Sequence, residues 1–401
     1  MRNGSAGMTI ATAVVEGVGT ECPAPRLAAE VRAQLHGASC DWLLLFASAH
    51  FEDEFERIAG ELLEELAPRA FIGTSSETVI GGDREYEGLP ALAVWAAHLP
   101  GVRVSTFHLS QANLESWDTP AEWHDQLGTS PDDEPYFVLL ADPFSINVLL
   151  ALERLECAYP SRPAIGGLAS AGQAPRENIL IFDGHALREG MVGVALSGNV
   201  QIDTIVSQGC RPIGRTLVIT RAEKNVIYQL GGRPPLNMVT DVLRNCTSRD
   251  VELARSHGLL VGRVINESQG HFATGDFLIR SPLGFDSSTG AMAVSDYVRA
   301  GQTIQFQVRD AESAAQELAV LLSAAPCERA AGALVFTCNG RGTRLFNDRS
   351  HDARALHTAT RGVPQAGCFC AGEVGPIGGR NYLHGHTASV ALIRPAGDAH
   401  A

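Results

Sequence analysis

Trp42-Leu43-Leu44-Leu45-Phe46-Ala47, then residues 51–67, then Phe71-Ile72-Gly73-Thr74-Ser75-Ser76 make one continuous passage of strand, helix and strand signals. The first run is short and wholly apolar, the mark of a buried strand. In residues 51–67 the side chains Phe51, Phe55, Ile58, Leu62, Leu63 and Leu66 share one helical face, which predicts an amphipathic helix. Past Pro68 a second apolar run ends in a Gly- and Ser-rich turn, and residues 89–98 supply a further apolar strand. A helical stretch at 25–36 precedes the passage. The unit is therefore helix, strand, helix and a strand that opens a Gly-rich hairpin.

The same unit recurs. Residues 114–127 predict a helix and 136–141 a strand, and Asp142-Pro143 opens the next helix, because a cap followed by Pro at the first helical position is a start signal. Ala164-Ile165-Gly166-Gly167 repeats the Ile-Gly turn of the first unit, with strands at 179–182 and 191–196. A third copy lies near the C-terminus, with helix 312–324, strand 333–338, short helix 350–358 and strands 367–370 and 387–393. Between the second and third copies, 236–310 reads as a divergent fourth with its first strand missing. It has a helix at 236–245 and strands at 259–265, 277–279, 291–295 and 303–308. Four units imply two related domains, residues 30–214 and 215–395, of α/β (α+β) class, in which helices cover mixed sheets. An all-parallel nucleotide-binding fold is disfavoured, since each unit ends in a hairpin and no G-x-G-x-x-G is present.

Composition narrows the function. With 401 residues, 45% hydrophobic and 19% charged, the chain can bury two large cores. A net charge of −14 argues against nucleic-acid or anionic-membrane partners. No apolar run reaches the ~18–20 residues of a membrane span, and the opening residues show no signal-peptide cleavage site. Nine cysteines without a disulfide rhythm predict reduced thiols and a cytoplasmic location. Of 31 basic residues only Lys224 is a lysine, which removes the phosphate-loop motif. That lysine lies in Ala222-Glu223-Lys224-Asn225, an exposed hairpin turn by composition, where a low-pKa Schiff-base lysine is not expected. There is no G-x-S-x-G or H-E-x-x-H, and nothing in the spacing of Cys338 and His384 supports a nucleophile–base pair. The expectation is a protein that is not an enzyme.

Ser207-Gln208-Gly209-Cys210-Arg211-Pro212-Ile213-Gly214, followed by Leu217-Val218-Ile219-Thr220, resembles the junction of FIST proteins, which join an N-terminal and a C-terminal FIST domain. Cys338-Asn339-Gly340-Arg341-Gly342 is similar to that family's C-x-G-R-G turn. Cys370-Ala371-Gly372-Glu373-Val374-Gly375-Pro376 and His384-Gly385-His386-Thr387 are similar to its G-E-x-G-P and H-x-x-T closing motifs. Ile72-Gly73-Thr74-Ser75 and Ala164-Ile165-Gly166-Gly167 are similar to its repeated I-G-x-x turns. The resemblance covers about residues 30–395 and makes the two domains a FIST N-terminal and a FIST C-terminal one. It implies an intracellular sensory module that binds small ligands such as amino acids. With fewer than forty residues before the first unit and no output domain after Ala401, a stand-alone sensor with a signalling partner is expected. The resemblance also implies two alternatives: a protein-interaction module like the F-box relatives, and a nitric-oxide sensor that binds haem through a histidine.

Several residues could carry the chemistry. Cys338 ends an apolar strand, and Gly340-Arg341-Gly342 gives a turn whose amides suit an anion, with Arg341 as a bidentate carboxylate partner. Glu373, in a Gly-rich turn, would receive a ligand's ammonium group; alternatively it pairs with Arg341 and pins two strands together. With Asn381 and His384 these residues make a polar pocket in the C-terminal domain. Cys368 and Cys370, like His384 and His386, are spaced i, i+2 and so share a strand face, a donor set that suits Zn²⁺. The usual zinc knuckle is C-x₂₋₄-C, so no metal is assigned. For haem the candidates are His50, His384 and His386, and no cofactor is otherwise expected.

Overall fold

The computed structural model describes residues 7–19, 21–273 and 275–397. The chain divides into two compact units. One takes the chain up to Val206 together with Leu321–Leu383 and the segment from Thr387 onward; the other takes Ser207–Val320 and His384–His386. Mixed α/β sheets layered with helices make up the fold, as the sequence pattern predicts.

The first unit is one motif used three times. Each repeat has a parallel strand pair joined by a crossover helix. The pairs are Trp42–Ser48 with Ala70–Ser76, Tyr136–Ala141 with Ala164–Leu168, and Gly332–Cys338 with Gln365–Cys370. The crossover helices are Phe55–Leu66, Val148–Ala158 and His351–Ala359. A closing strand lies antiparallel to the first member of each pair: Ala91–His98, Met191–Gly198 and Thr387–Arg394. Beyond these, Thr9–Glu16, Val102–Leu109 and Gln201–Gln208 form the sheet edges.

One glycine in each pair shows why the Ile-Gly signal recurs. Gly73, Gly166 and Gly367 stand in register with Leu45, Leu139 and Val335 on the neighbouring strand. A Cβ at these positions would lie 2.5, 1.8 and 1.8 Å from the carbonyl oxygens of those same neighbours. Only a residue without a side chain lets the two backbones approach so closely.

The hairpins that end the repeats are exchanged in a ring. Val79–Gly81 of the first repeat pairs with Gln365–Cys370 of the third, Leu180–Phe182 of the second pairs with Ala70–Ser76 of the first, and Glu373–Ile377 of the third pairs with Ala164–Leu168 of the second. Each sheet thus has six strands, the outer two from another repeat. A shared core lies between them, with Leu44 and Phe46, Val138 and Leu140, and Leu334 and Phe336 contributed by the three repeats in turn. The rings of Phe46 and Phe336 meet edge to face at 6.2 Å, and each such buried side chain contributes roughly 1.5–3 kcal/mol.

Outer helices cover the sheets. Helix Phe55–Leu66 buries Phe55, Ile58, Leu62 and Leu66 of the predicted apolar face together with Ala59, while Leu63 is half-buried. Two helix predictions are corrected. Residues 114–127 form two helices, Gln111–Ser116 and Pro120–Leu127, because Thr119 caps a new start with Pro120 at its first position. Asp142-Pro143 opens no helix. The helix starts at Val148 under an Asn147 cap, and Asp142 is buried, accepting hydrogen bonds from Asn178 Nδ2 (3.0 Å) and Phe144 N (3.2 Å).

The second unit begins within the edge strand Gln201–Gln208 and ends within the helix Ala311–Ala324 that leads into the third repeat's first strand. Its seven strands run in the order Phe277–Arg280, Leu259–Val264, Thr303–Arg309, Cys210–Glu223, Val226–Leu230, Met292–Val294, Pro282–Phe285, with antiparallel pairing throughout. The long strand Cys210–Glu223 changes register after Ile213, where Gly214 has φ +64°. Helices Pro235–Asn245 and Ser248–His257 accompany the sheet, and Lys224 sits in the hairpin turn expected for it.

Candidate functional site

The first and second members of each parallel pair end on the same side, and outside such ends α/β sheets gather their ligands. Here the third repeat departs from the other two. Its register places Glu373 where the first two repeats carry Val79 and Leu180. All three are fully buried, so an aliphatic core position is occupied by a carboxyl group. Glu373 Oε2 accepts hydrogen bonds from Thr387 Oγ1 (2.7 Å) and Thr387 N (3.2 Å), at the start of the closing strand. Thr387 lies within the H-x-x-T sequence yet had no role assigned from it.

One thiol, Cys370, lies near this carboxylate, and two more lie near that thiol. Cys338 stands in register with Cys370, and Cys370 Sγ lies 3.8 Å from Cys368 Sγ. Burial pushes the Cys370 thiol well above its ordinary range, reinforced by Cys368 and by the nearby charges of Glu373 and Cys338. A thiol so held keeps its proton and is a poor metal ligand or nucleophile. No cluster of three or more His, Cys, Asp or Glu side chains placed to hold a metal occurs among the described residues. His384 and His386 belong to the second unit; His384 is buried, and the His386 carbonyl accepts from Gly209 N at 3.0 Å. His50 is exposed and its Nδ1 lies 3.2 Å from Ser48 Oγ, so it does not stand in the apolar slot that a haem ligand needs.

Arg341 binds a carboxylate in bidentate fashion, and the carboxylate is the chain's own. Its Nε and Nη2 donate to Asp352 Oδ2 and Oδ1 at 2.6 and 2.9 Å, with both side chains buried. Asp352 also accepts from Thr337 Oγ1 (3.1 Å) and lies 3.0 Å from His351 Nδ1. The His351 ring stacks on Phe346 at 3.7 Å, and the Arg341 guanidinium sits 5.3 Å from the same phenyl ring. Burial works to raise the Asp352 carboxyl, but Arg341 and His351 outweigh it and hold the group below the usual range. The turn also holds an anion: Thr343 N and Oγ1 bond to Glu87, and Gly342, at φ +57°, leaves room for that carboxylate.

Glu85 completes the cluster from the first repeat's hairpin. Its Oε1 accepts from the backbone amides of Asp352 and Ala353 (both 3.0 Å), capping the helix His351–Ala359 from another repeat. Burial and the neighbouring Asp352 raise the Glu85 carboxyl to about 8. Asn381 has a comparable bridging role. It accepts from Ala164 N and donates to Arg162 O, both at 2.8 Å, fastening the third repeat's hairpin to the second repeat.

The structure thus gathers Cys338, Cys370 and Glu373 at one set of strand ends and gives Arg341 and Asn381 contacts within the protein frame. Asp352, Glu85 and Thr387 were not picked out from the sequence. Asp352 had a local signal, an acidic residue in the first turn of a short helix; Glu85 had none.

The family comparison covers most of the chain. A FIST N domain matches residues 41–233 and a FIST C domain matches residues 236–376. An uncharacterized protein of Mycobacterium tuberculosis is 37% identical over 379 residues, 92% of this chain and 95% of its own. One of Mycobacterium bovis is 37% identical over 369 residues, covering 91% and 94%. Among solved structures, a cyanuric acid hydrolase from A. caulinodans covers 96% of this chain and 100% of its own, at 9% identity and a TM-score of 0.37. That likeness is too distant to bear on the chemistry. The chain belongs to the FIST family, whose domains are small-ligand sensory modules.

Proposed function

We propose that this FIST-domain protein is a non-catalytic cytoplasmic sensor that holds a small amine ligand, such as an amino acid, at the strand ends of the third repeat. Glu373 is the recognising carboxylate, and Cys370 lies near both it and Cys338. The output is a conformational change passed to a signalling partner. The observation that carries this reading is the buried Glu373 at a position where the sister repeats use Val79 and Leu180. Burying a carboxylate costs several kcal/mol, so a carboxyl group kept where the sister repeats are aliphatic points to a role beyond packing. An ammonium group on a ligand would meet this carboxylate with the opposite charge. Arg341 and Asn381 then hold the frame rather than touch the ligand.

Two further observations fit this reading. No disulfide joins any of the nine cysteines, which suits a reducing compartment. No helix among the described residues is long and apolar enough to cross a membrane. The test is thermal denaturation against a panel of amino acids and simple amines. A ligand that binds only the folded state raises the melting temperature in proportion to its occupancy. The expected result is a rise with at least one amine that disappears in Glu373→Gln. A flat response across the panel, with no haem absorption in the purified protein, would leave an interaction module as the better reading.

A further inference from the structure

In the second unit a single carboxylate serves two arginines. Asp296 Oδ2 accepts hydrogen bonds from Arg263 Nε (3.1 Å), Arg263 Nη2 (3.0 Å) and Arg280 Nε (2.9 Å). Arg263 lies on strand Leu259–Val264 and Arg280 ends the neighbouring strand Phe277–Arg280. The register pairs Val261 with Arg280, so Arg263, two residues on, projects from the same face. Arg280 is only 9% exposed. Its Nη1 donates to the Ile279 carbonyl at 2.9 Å.

The charges do not balance. Two guanidiniums and one carboxylate leave one positive charge at a largely dry site. Burial opposes the charge on Arg280, Asp296 is the carboxylate that supports it, and Arg263 opposes it again. A carboxyl group in that position would take up a proton, but an arginine cannot release one. Arg263 Nη1 and Arg280 Nη2 have no partner among the described residues. The surplus is also local to this site, since the chain as a whole carries −14.

We propose that Arg263 and Arg280 form a binding site for a small oxyanion, a carboxylate or a phosphate group, with Asp296 fixing the two guanidiniums in place. Both arginines donate to one oxygen of Asp296, so their head groups converge, and their unused N–H groups offer planar forks of the kind that bind such anions. The site is independent of the one proposed around Glu373.

Sodium phosphate and sodium acetate are titrated separately into the intact protein by calorimetry, against sodium chloride at equal ionic strength. Binding of either oxyanion beyond the chloride control is expected, and the one that binds identifies the preferred shape. Arg263→Gln should weaken it about tenfold or more, the loss of one charged hydrogen-bonding group. A wild-type protein that does not distinguish oxyanions from chloride, or an Arg263→Gln protein with unchanged affinity, would overturn the proposal.

Discussion

Around Arg341 two carboxylates, Asp352 and Glu85, are buried with one guanidinium; around Asp296 the second unit gathers two guanidiniums, Arg280 buried and Arg263 half-buried, on one carboxylate. The two clusters are near mirror images in charge, and chemistry treats them differently. An excess of carboxylates corrects itself, because burial and a like-charged neighbour let one of them keep its proton. Glu85, raised to about 8, is that group. An excess of guanidiniums has no such outlet and must draw its counter-charge from outside the chain. The first cluster is therefore complete as folded and acts as a fastener between repeats. The second is complete only with an anion.

The largest effect tests the fastener. Asp352→Asn removes the carboxylate that the wholly buried Arg341 holds in bidentate fashion, and breaking a buried pair from one side costs about 3–5 kcal/mol. Denaturant unfolding should show a loss of that order. Asp296→Asn should cost less, because its arginines retain some contact with water. Equal losses would show that the two clusters are held alike and would undo the contrast.

The next effect is a pH dependence that only the carboxylate-rich cluster can have. Glu85 has its folded pKa raised from 4.5 to about 8, so the native state holds a proton that the unfolded chain releases. Its contribution to stability is full below 4.5 and declines as pH rises through about 8, with a slope approaching about 1.4 kcal/mol per pH unit between them. Asp352 has the opposite sign, and its contribution is lost only as pH falls below its ordinary 3.8. The two windows do not overlap. Glu85→Gln can still accept from the Asp352 and Ala353 amides, so it should flatten the stability profile between pH 5 and 8 with the fold retained. A wild-type profile already flat across that range would mean that Glu85 is ionised in the folded protein.

How much of this was legible follows from what is local. Ile72-Gly73 and Ile165-Gly166 announced two repeats because a backbone approach forces glycine at one position of each. The third, Ala366-Gly367, obeys the same constraint under a different neighbour. The hairpin exchange was not legible, since an alternating strand such as Val79–Gly81 pairs equally well with its own sheet or another. The bidentate partner that Arg341 takes, Asp352, lies on the following helix, and the motif that contains Arg341 carries no sign of it. The cap that Glu85 places on that helix joins residues 267 positions apart, and no periodicity or spacing spans such a distance. Helix Ser248–His257 is too polar for an apolar periodicity to mark it, although Thr247 and Asp250 form a capping box at its start.

The smallest expected effect separates burial from charge count. On helix Phe55–Leu66, Arg57 donates to Glu54 (2.8 Å) and Glu61 (2.9 Å), one guanidinium with two carboxylates, the same ratio as around Arg341. Here the side chains are 49%, 40% and 34% exposed, so water solvates whatever the pairing leaves unmatched. Arg57→Gln should therefore leave the melting temperature unchanged within measurement. The pH profile should also be unaltered. A clear destabilisation by Arg57→Gln would mean that charge ratio matters even at the surface, and the contrast between the two buried clusters would then rest on their number of charges rather than on their removal from water.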